Sequence, residues 1–74
     1  MRTTITFSAA RRRFGRAYQP YRHISKLSGR EAESLRADYA LMEGNTVRDY
    51  GDLVCVEDWC REAGVLGQDE QLVA

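Results

Sequence analysis

The basic and acidic residues of this chain occupy separate halves of the sequence. Residues 1–30 contain eight Lys or Arg and no Asp or Glu. Residues 31–74 contain all eleven Asp and Glu and only Arg36, Arg48 and Arg61. Chance mixing rarely separates charges in this way. Any fold of the chain must therefore carry two oppositely charged segments on one body, with a net charge of zero. One surface can then contact phosphates while another contacts a basic protein surface.

The length predicts one small domain over 1–74, with a basic N-terminal segment 1–30 and a frayed tail 65–74. A chain of this size buries only about 60% of the surface that it exposes when unfolded. A deep catalytic cleft is difficult to build from so little interior. We therefore expect a binding protein, not an enzyme. The sequence contains no internal repeat and no linker that would divide it.

The N-terminus lacks the features of a secretory signal, because Met1–Phe7 is short, polar and alternating. No stretch approaches the eighteen or so apolar residues of a membrane span. These features predict a cytoplasmic protein without membrane contact. In that compartment Cys55 and Cys60 are expected to remain reduced.

The first thirty residues predict little regular structure apart from strands. Thr3–Ser8 alternates and is rich in β-branched residues, which indicates a short strand. We interpret 9–16 as a basic loop or a single turn, because Gly15 would end a helix capped by Ser8. Residues 18–24 are a candidate second strand, which Pro20 would confine to an edge of the sheet.

The strongest helical pattern covers residues 29–43. Ser28 and Glu31 fit a capping box, in which each side chain accepts from the other residue's backbone amide. Ala32, Leu35, Tyr39 and Met42 then recur at spacings of three and four. Gly44-Asn45 would end this helix in the left-handed conformation. We expect the helix to be the stability centre, with Leu35 in its apolar stripe.

Two interpretations fit residues 52–64. In one, Leu53–Val56 is a buried strand that precedes a short helix over about 56–63, and we favour a helix that begins near Val56. In the other, Asp52 caps a single helix. Both end at Gly64. The fold class is therefore α+β, with helices 29–43 and 56–63 packed on one or two short strands; the alternative is a small all-α bundle.

The basic half contains an arginine-rich segment interleaved with aromatic residues. Arginine binds phosphate with two parallel hydrogen bonds, and aromatic rings stack on unpaired bases. We predict a partner-binding or phosphate-binding set comprising Arg11, Arg12, Arg13, Phe14, Arg16, Tyr18, Tyr21 and Arg22. Alternatively, the rings fill the core while the arginines are solvated or pair with the acidic half. None of these arginines lies in the apolar stripe. We therefore expect folding to tolerate the joint replacement by Gln of Arg11, Arg12, Arg13 and Arg16.

The acidic half contains a cluster of carboxylates around Trp59. We predict that it docks on a basic protein surface through Asp49, Asp52, Glu57, Asp58 and Glu62. The alternative is an ordinary solvated helix face. We expect Trp59 itself to be buried, because the chain has few large apolar residues to fill a core.

No residue pattern predicts a metal, a cofactor or catalysis. Cys55, Cys60 and the single histidine, His23, lack the spacing of a zinc site. The cysteines are better explained as buried reduced thiols, since a disulfide between them on one helix has poor geometry. The glycines are isolated, so there is no phosphate-binding loop. We predict no enzymatic activity.

In size, charge layout and composition, the chain resembles the small regulators that bacteriophages make to bind host RNA polymerase. The resemblance rests on no motif and therefore transfers no residue role. It implies a non-enzymatic protein in the bacterial cytosol that docks on RNA polymerase and alters transcription. Nucleic-acid contact through the basic segment is part of this expectation. Two alternatives are a stand-alone nucleic-acid-binding module and a phage inhibitor of a host defence complex, of the anti-CRISPR type.

Overall fold

A computed structural model describes residues 2–18 and 21–73 of the chain. Over these residues the fold is α+β, with three helices and five strands in two small sheets. In chain order the elements are β1 (Thr3–Thr6), α1 (Phe7–Tyr18), β2 (Arg22–Lys26), α2 (Gly29–Leu35), β3 (Tyr39–Glu43), β4 (Thr46–Gly51), α3 (Leu53–Glu62) and β5 (Glu70–Val73). The α+β class is confirmed, and the all-α alternative is wrong.

The two ends of the chain pair in a two-stranded parallel sheet. β1, which the sequence predicted, lies beside β5 in a register that pairs Thr3 with Glu70 and Thr6 with Val73. The prediction of a frayed tail is wrong for residues 65–73, because Leu66 and Leu72 are buried in the main core. Their burial and the ladder to β1 compensate for the entropy cost of ordering this short polar segment.

Residues 9–16 form the centre of a twelve-residue helix, so the prediction of a loop or single turn is wrong. Phe7, Ala10 and Phe14 recur at spacings of three and four and are all buried. Thr6 caps the helix, since its Oγ1 accepts from Ala9 N at 3.1 Å. Gly15 in a helix costs about 1 kcal/mol relative to alanine. Burial of two phenylalanine side chains outweighs that cost, at about 1.5–3 kcal/mol each.

The prediction of a helix over 29–43 is too long by about two turns, because α2 ends at Leu35. Arg36 follows in the left-handed conformation, with φ of 52°. The chain then continues as β3, which lies between β2 and β4 in an antiparallel sheet. Tyr39 and Met42 satisfy helical spacing, but Tyr39 and Leu41 also share one face of a strand. Long-range pairing with β2 and β4 decides between the two periodicities.

Gly44-Asn45 forms the two-residue turn of the β3–β4 hairpin and does not end a helix. Gly44 has φ of 60°, as the first central residue of a type II′ turn requires. The predicted capping box is also wrong, because the side chain of Ser28 makes no capping hydrogen bond to α2. β4 follows this turn, and an extra residue at Arg48 makes a bulge opposite β3.

The remaining elements agree with one of the predicted interpretations. α3 is the single helix that Asp52 caps, with Cys55 N donating to Asp52 Oδ1 at 3.3 Å. The favoured start near Val56 and the strand over Leu53–Val56 are therefore wrong. Gly64 ends the helix with φ of 74°. β2 confirms a second strand but begins at Arg22; Pro20, expected to confine it to an edge, lies outside the described residues.

The main core lies between α1, α3 and one face of the three-stranded sheet. Its most completely buried large side chains are Phe14, Ile24, Val56 and Cys60. A smaller cluster of Leu27, Ala37 and Ala40 lies under α2. All seven residues of α2 are described, and none of them is buried; Leu35 is only partly buried. The expectation that this helix is the stability centre is wrong for that reason. Among the described residues, no helix has the length and apolar character needed to cross a membrane.

Closure of the chain by β5 predicts a contrast between adjacent residues. Leu72 is 4% exposed and Val73 is 39% exposed. Leu72→Ala should lower the free energy of unfolding by about 2–4 kcal/mol, because it leaves a cavity in the core. Val73→Ala should change it by less than about 0.5 kcal/mol. Urea titrations of both variants measure the contrast. Equal, small effects would mean that residues 70–73 are frayed.

The conformation of Arg36 predicts a stabilising substitution. A non-glycine residue in the left-handed region costs about 1 kcal/mol, which glycine avoids. Arg36→Gly should therefore raise the free energy of unfolding by about 0.5–1 kcal/mol. Ser34→Gly, two residues earlier in regular helix, should lower it by about 0.5 kcal/mol. Thermal unfolding of the two glycine variants checks this, and a loss of stability in both would contradict the left-handed assignment.

Candidate functional site

Three arginines of α1 point away from the core. Arg11, Arg12 and Arg16 are exposed. Arg12 and Arg16 lie opposite the buried residues of the helix, whereas Arg11, four residues after Phe7, borders them. Within residues 2–18 and 21–73, none of these guanidinium groups forms an ion pair with a carboxylate. α1 itself contains no Asp or Glu. Their positive field is therefore not neutralised by a direct contact in the fold.

Lys26 extends this surface from β2. It is exposed and lines a depression of about 430 Å³ together with Arg11, Ser8, Phe7, Tyr39 and Thr6. A second depression of about 370 Å³ lies against Ser8, Arg11 and Arg12. The two depressions share Ser8 and Arg11, so they are adjacent. We call the surface formed by Arg11, Arg12, Arg16 and Lys26 the cationic face.

Small residues separate the arginines on the outer side of α1. They are Ser8, Ala9, Gly15 and Ala17. Long side chains at these positions would keep a large ligand away from the helix. With short ones, a broad anionic surface can approach the helix backbone while the arginines reach around it. The arrangement therefore fits an extended anion better than a small enclosed one.

Arg13, predicted as a binding residue, has a structural role. Its Nη1 donates to Glu70 Oε1 at 3.0 Å, to Glu70 Oε2 at 3.1 Å and to the Val65 carbonyl at 3.2 Å. These bonds join α1 to β5 and to the segment before it. Arg13 thus contributes contacts to the fold that Arg11, Arg12 and Arg16 do not, and the expectation that folding tolerates replacement of all four stays a prediction.

The predicted aromatic residues are not exposed stacking platforms as a group. Phe14 is 2% exposed and belongs to the core. Tyr18 is partly buried, with its ring centroid 4.9 Å from that of Phe14. The guanidinium of Arg22 lies 5.5 Å from the centroid of Tyr18 on its face. Tyr21 is exposed and lies beyond the C-terminal end of α1. The alternative interpretation, in which rings fill the core, is right for Phe14.

Arg22 is held by an ion pair across the sheet. Its Nε donates to Glu43 Oε2 at 3.1 Å, and Arg48 Nε lies 3.7 Å from the same oxygen. Arg22 is therefore neutralised in place and lies between a carboxylate and the ring of Tyr18. Arg22 is not part of the cationic face, because its charge is paired with Glu43.

Most of the predicted acidic docking residues contact their own chain. Asp49 Oδ2 accepts from Trp59 Nε1 at 3.1 Å. Asp52 caps α3, and Glu57 Oε2 accepts from Leu72 N at 3.1 Å. Asp58 and Glu62 are exposed on α3 and form no ion pair with any described residue. The free part of the acidic cluster is thus one edge of α3.

Trp59 is 7% exposed, which confirms that it belongs to the core. Its indole N–H is not left unsatisfied, because Asp49 on the neighbouring strand β4 accepts its hydrogen bond. Asp49 therefore holds α3 against the sheet. This role explains an acidic residue beside a tryptophan without reference to a partner.

The cysteines and the histidine do not converge. Cys60 is buried, Cys55 is partly buried on α3, and His23 is exposed on β2. Burial raises the pKa of the Cys60 thiol from 9.0 to about 11, although Arg13 and Arg61 oppose the shift. The thiol is therefore protonated at neutral pH. The described residues contain no group of three side chains that could together hold a metal ion.

Two important features escaped prediction from the sequence. Lys26 was not recognised as part of the site, because only the packing of α1 on β2 brings it near Arg11. The contact of Arg13 with Glu70 spans 57 positions in the chain. Opposite charges in the two halves indicated that such pairs exist, but nothing local identifies which residues form them.

Comparisons with protein-family models, curated proteins and solved structures found no match to this chain. The site is therefore interpreted from its own geometry and charge.

The carboxylate of Glu70 predicts a pH dependence of stability. Hydrogen bonds from Gly67 N and from Arg13 lower the pKa of Glu70 below its ordinary 4.5. A lowered folded-state pKa stabilises the protein above the unfolded value, and this contribution is lost as pH falls through the folded-state pKa. Glu70→Gln should therefore be less stable than the parent protein at pH 7. The difference should shrink as pH falls below about 4.5.

Urea midpoints measured from pH 7 to pH 3 test this expectation. Glu62→Gln is the matched control, because it removes the same charge from an exposed position without a described ion pair. Its difference from the parent should be small throughout. A Glu70→Gln difference that does not change with pH would show that the charge of Glu70 does not stabilise the fold.

Proposed function

We propose that this protein is a non-enzymatic regulator that docks on a nucleic-acid-handling complex, and that the complex is bacterial RNA polymerase engaged with DNA. The cationic face presents Arg11, Arg12, Arg16 and Lys26 to an anionic surface of that complex. The observation that carries the proposal is the absence of ion pairs to this face among the described residues. A folded protein with unneutralised, clustered arginines attracts polyanions.

The fate of the other charges supports the same conclusion. Arg13 and Arg22 pair with Glu70 and Glu43. Three of the five carboxylates in the acidic cluster accept hydrogen bonds within the fold. The fold therefore uses Asp49, Asp52 and Glu57 of the predicted docking cluster internally, whereas Arg11, Arg12 and Arg16 of the predicted basic set face solvent. Interaction through the basic surface is better supported than docking through the acidic cluster.

The interior supports a binding function over a catalytic one. Among the described residues, every buried side chain is apolar, and no buried side-chain nitrogen or oxygen lacks a hydrogen-bond partner. Catalytic acids, bases and nucleophiles usually need partly desolvated surroundings that shift their pKa values. The thiol of Cys60 is shifted away from reactivity, since only a thiolate is a strong nucleophile.

RNA polymerase is proposed as the partner from the resemblance in size and charge layout to phage-encoded regulators. An engaged polymerase offers negatively charged DNA beside protein surface. The cationic face can contact the former while the exposed edge of α3, with Asp58 and Glu62, meets a basic protein surface. A stand-alone nucleic-acid-binding module is the second candidate, favoured by the internal use of the acidic residues. No described contact favours inhibition of a defence complex.

Binding to purified RNA polymerase on promoter DNA tests the proposal. We expect salt-sensitive binding by the parent protein and weaker binding by the double variant Arg12→Gln/Arg16→Gln, because two unpaired charges are removed. The loss should be about tenfold or more near 100 mM salt and should shrink at higher salt, as surface charges are screened. Surface-immobilised complex and biolayer interferometry give the affinities.

The matched control is Arg30→Gln/Arg36→Gln. Both arginines are exposed, both lie at α2, and the double variant has the same net charge. It should bind like the parent protein. Lack of parent binding to the polymerase–DNA complex would contradict the proposed partner. Equal losses in the two double variants would show that net charge, and not the cationic face, controls binding.

A further inference from the structure

We propose that the cationic face binds the phosphate backbone of double-stranded B-form DNA without reading its base sequence. This inference rests on the proposed function, because it names the anionic component that the protein contacts within the complex. It is carried by Arg11, Arg12 and Lys26, which line two adjacent depressions, and by Arg16, which lies one helical turn beyond Arg12 on α1.

The spacing of the charges fits a regular array of phosphates. α1 has twelve residues and is therefore about 18 Å long. Arg12 and Arg16 are one helical turn apart, at a rise of about 6 Å. Duplex DNA presents one negative charge for about every 1.7 Å of its axis. A rigid helix that carries its cations at fixed positions meets several phosphates of a stiff duplex with little loss of backbone freedom.

The aromatic residues do not provide what single strands need. Sequence-tolerant binding of single-stranded nucleic acid depends on exposed rings that stack on successive bases. Phe14 lies in the core, and Tyr18 is enclosed between that ring and Arg22. Tyr21 is exposed, but it follows the C-terminal end of α1, whereas Ser8 and Arg11 lie nearer the N-terminal end. The cationic face itself is therefore a surface of charges without stacking platforms.

The outer side of α1 also lacks most of the side chains that read bases. Asn and Gln recognise adenine, and Asp and Glu accept from cytosine. None of these occurs in α1. Besides the arginines, its outer side has Ser8, Ala9, Gly15 and Ala17. These short residues permit close approach but distinguish bases poorly. Arginine also contacts guanine, and a comparison of two duplexes of unrelated sequence separates that contact from contact with the backbone alone.

The shape of the helix favours B-form DNA over duplex RNA. An α-helix with its side chains is about 10–12 Å wide. The major groove of B-form DNA is about 12 Å wide, whereas that of A-form RNA is deep and narrow. The exposed side of α1 can lie at the edge of the DNA groove with arginines directed to the flanking phosphates. A-form RNA does not offer the same fit.

Fluorescence anisotropy with labelled oligonucleotides tests the inference on the full chain. The probes are two DNA duplexes of unrelated sequence with about two helical turns each, one of their single strands, and the corresponding RNA duplex. Four phosphate contacts predict a slope of about −3 to −4 for log K against log salt. Affinity should then fall roughly 100-fold between about 50 and 200 mM salt. Both DNA duplexes should bind within about threefold of each other.

The double variants locate the contact. Arg12→Gln/Arg16→Gln should reduce the magnitude of the salt slope by about two, because each phosphate contact contributes about 0.9. Arg30→Gln/Arg36→Gln should leave it unchanged. Single-stranded DNA or duplex RNA that binds as tightly as duplex DNA would overturn the inference. So would equal slopes for the two variants, or binding that discriminates strongly between the two duplexes.

Failure of this inference and failure of the proposed function give different results. If the protein binds polymerase through the cationic face but not the isolated duplex, the inference is wrong and the proposed function remains. If it binds the duplex as described but not the polymerase–DNA complex, the proposed partner is wrong and the DNA-binding surface remains. Far-UV circular dichroism of each variant confirms that the fold is intact before either comparison is made.

Discussion

The contact between Arg13 and Glu70 joins the two ends of the chain and fixes the position of α1. One guanidinium nitrogen of Arg13 donates to both oxygens of Glu70 and to the Val65 carbonyl. Glu70 also accepts from Gly67 N, which shapes the loop before β5. The parallel pairing of β1 with β5 begins at the same residue, since Thr3 pairs with Glu70. An N-terminal helix with four arginines would otherwise have only its apolar stripe to hold it. The closure therefore adds to the burial of Phe7, Ala10 and Phe14 in orienting the surfaces that α1 forms.

The closure also brings charges from the two halves of the sequence into contact. A basic half and an acidic half do not become two separate faces, because Arg13 and Arg22 of the first half pair with Glu70 and Glu43 of the second. Charge segregation along the chain favours long-range pairs over local ones, which suits a small fold that must bring its ends together. Arg12 and Arg16 remain unpaired on the side of α1 opposite its buried residues, and Arg11 remains unpaired beside Lys26 of β2. The cationic face is thus what the closure leaves unpaired.

Sequence patterns predicted the features whose physical causes are local. The strand at β1 and the stop at Gly64 depend on neighbouring residues, and the cap at Asp52 was the less favoured of two interpretations. The burial of Trp59 was predicted from the small number of large apolar residues. Several of the failures involve distant partners. β5 is short and polar, and only β1 and the core stabilise it as a strand. Tyr39 fits a helical spacing with Met42 and a strand spacing with Leu41, so β2 and β4 determine that it belongs to β3. Gly44-Asn45 is compatible with a helix stop or a hairpin turn, and the same pairing decides between them.

The candidate site was predictable as a segment but not as a surface. Arg12 and Arg13 are adjacent in the sequence and identical in chemistry, yet one faces solvent and the other stabilises the fold. Successive residues of a helix are rotated by about 100°, so their roles separate as soon as α1 is known to be a helix. When the arginine run is assigned to a loop, nothing separates the arginines that face solvent from the one that stabilises the fold. Recognising the buried spacing of Phe7, Ala10 and Phe14 would have supplied it, since the phase of a helix's apolar stripe determines which of its charges remain free.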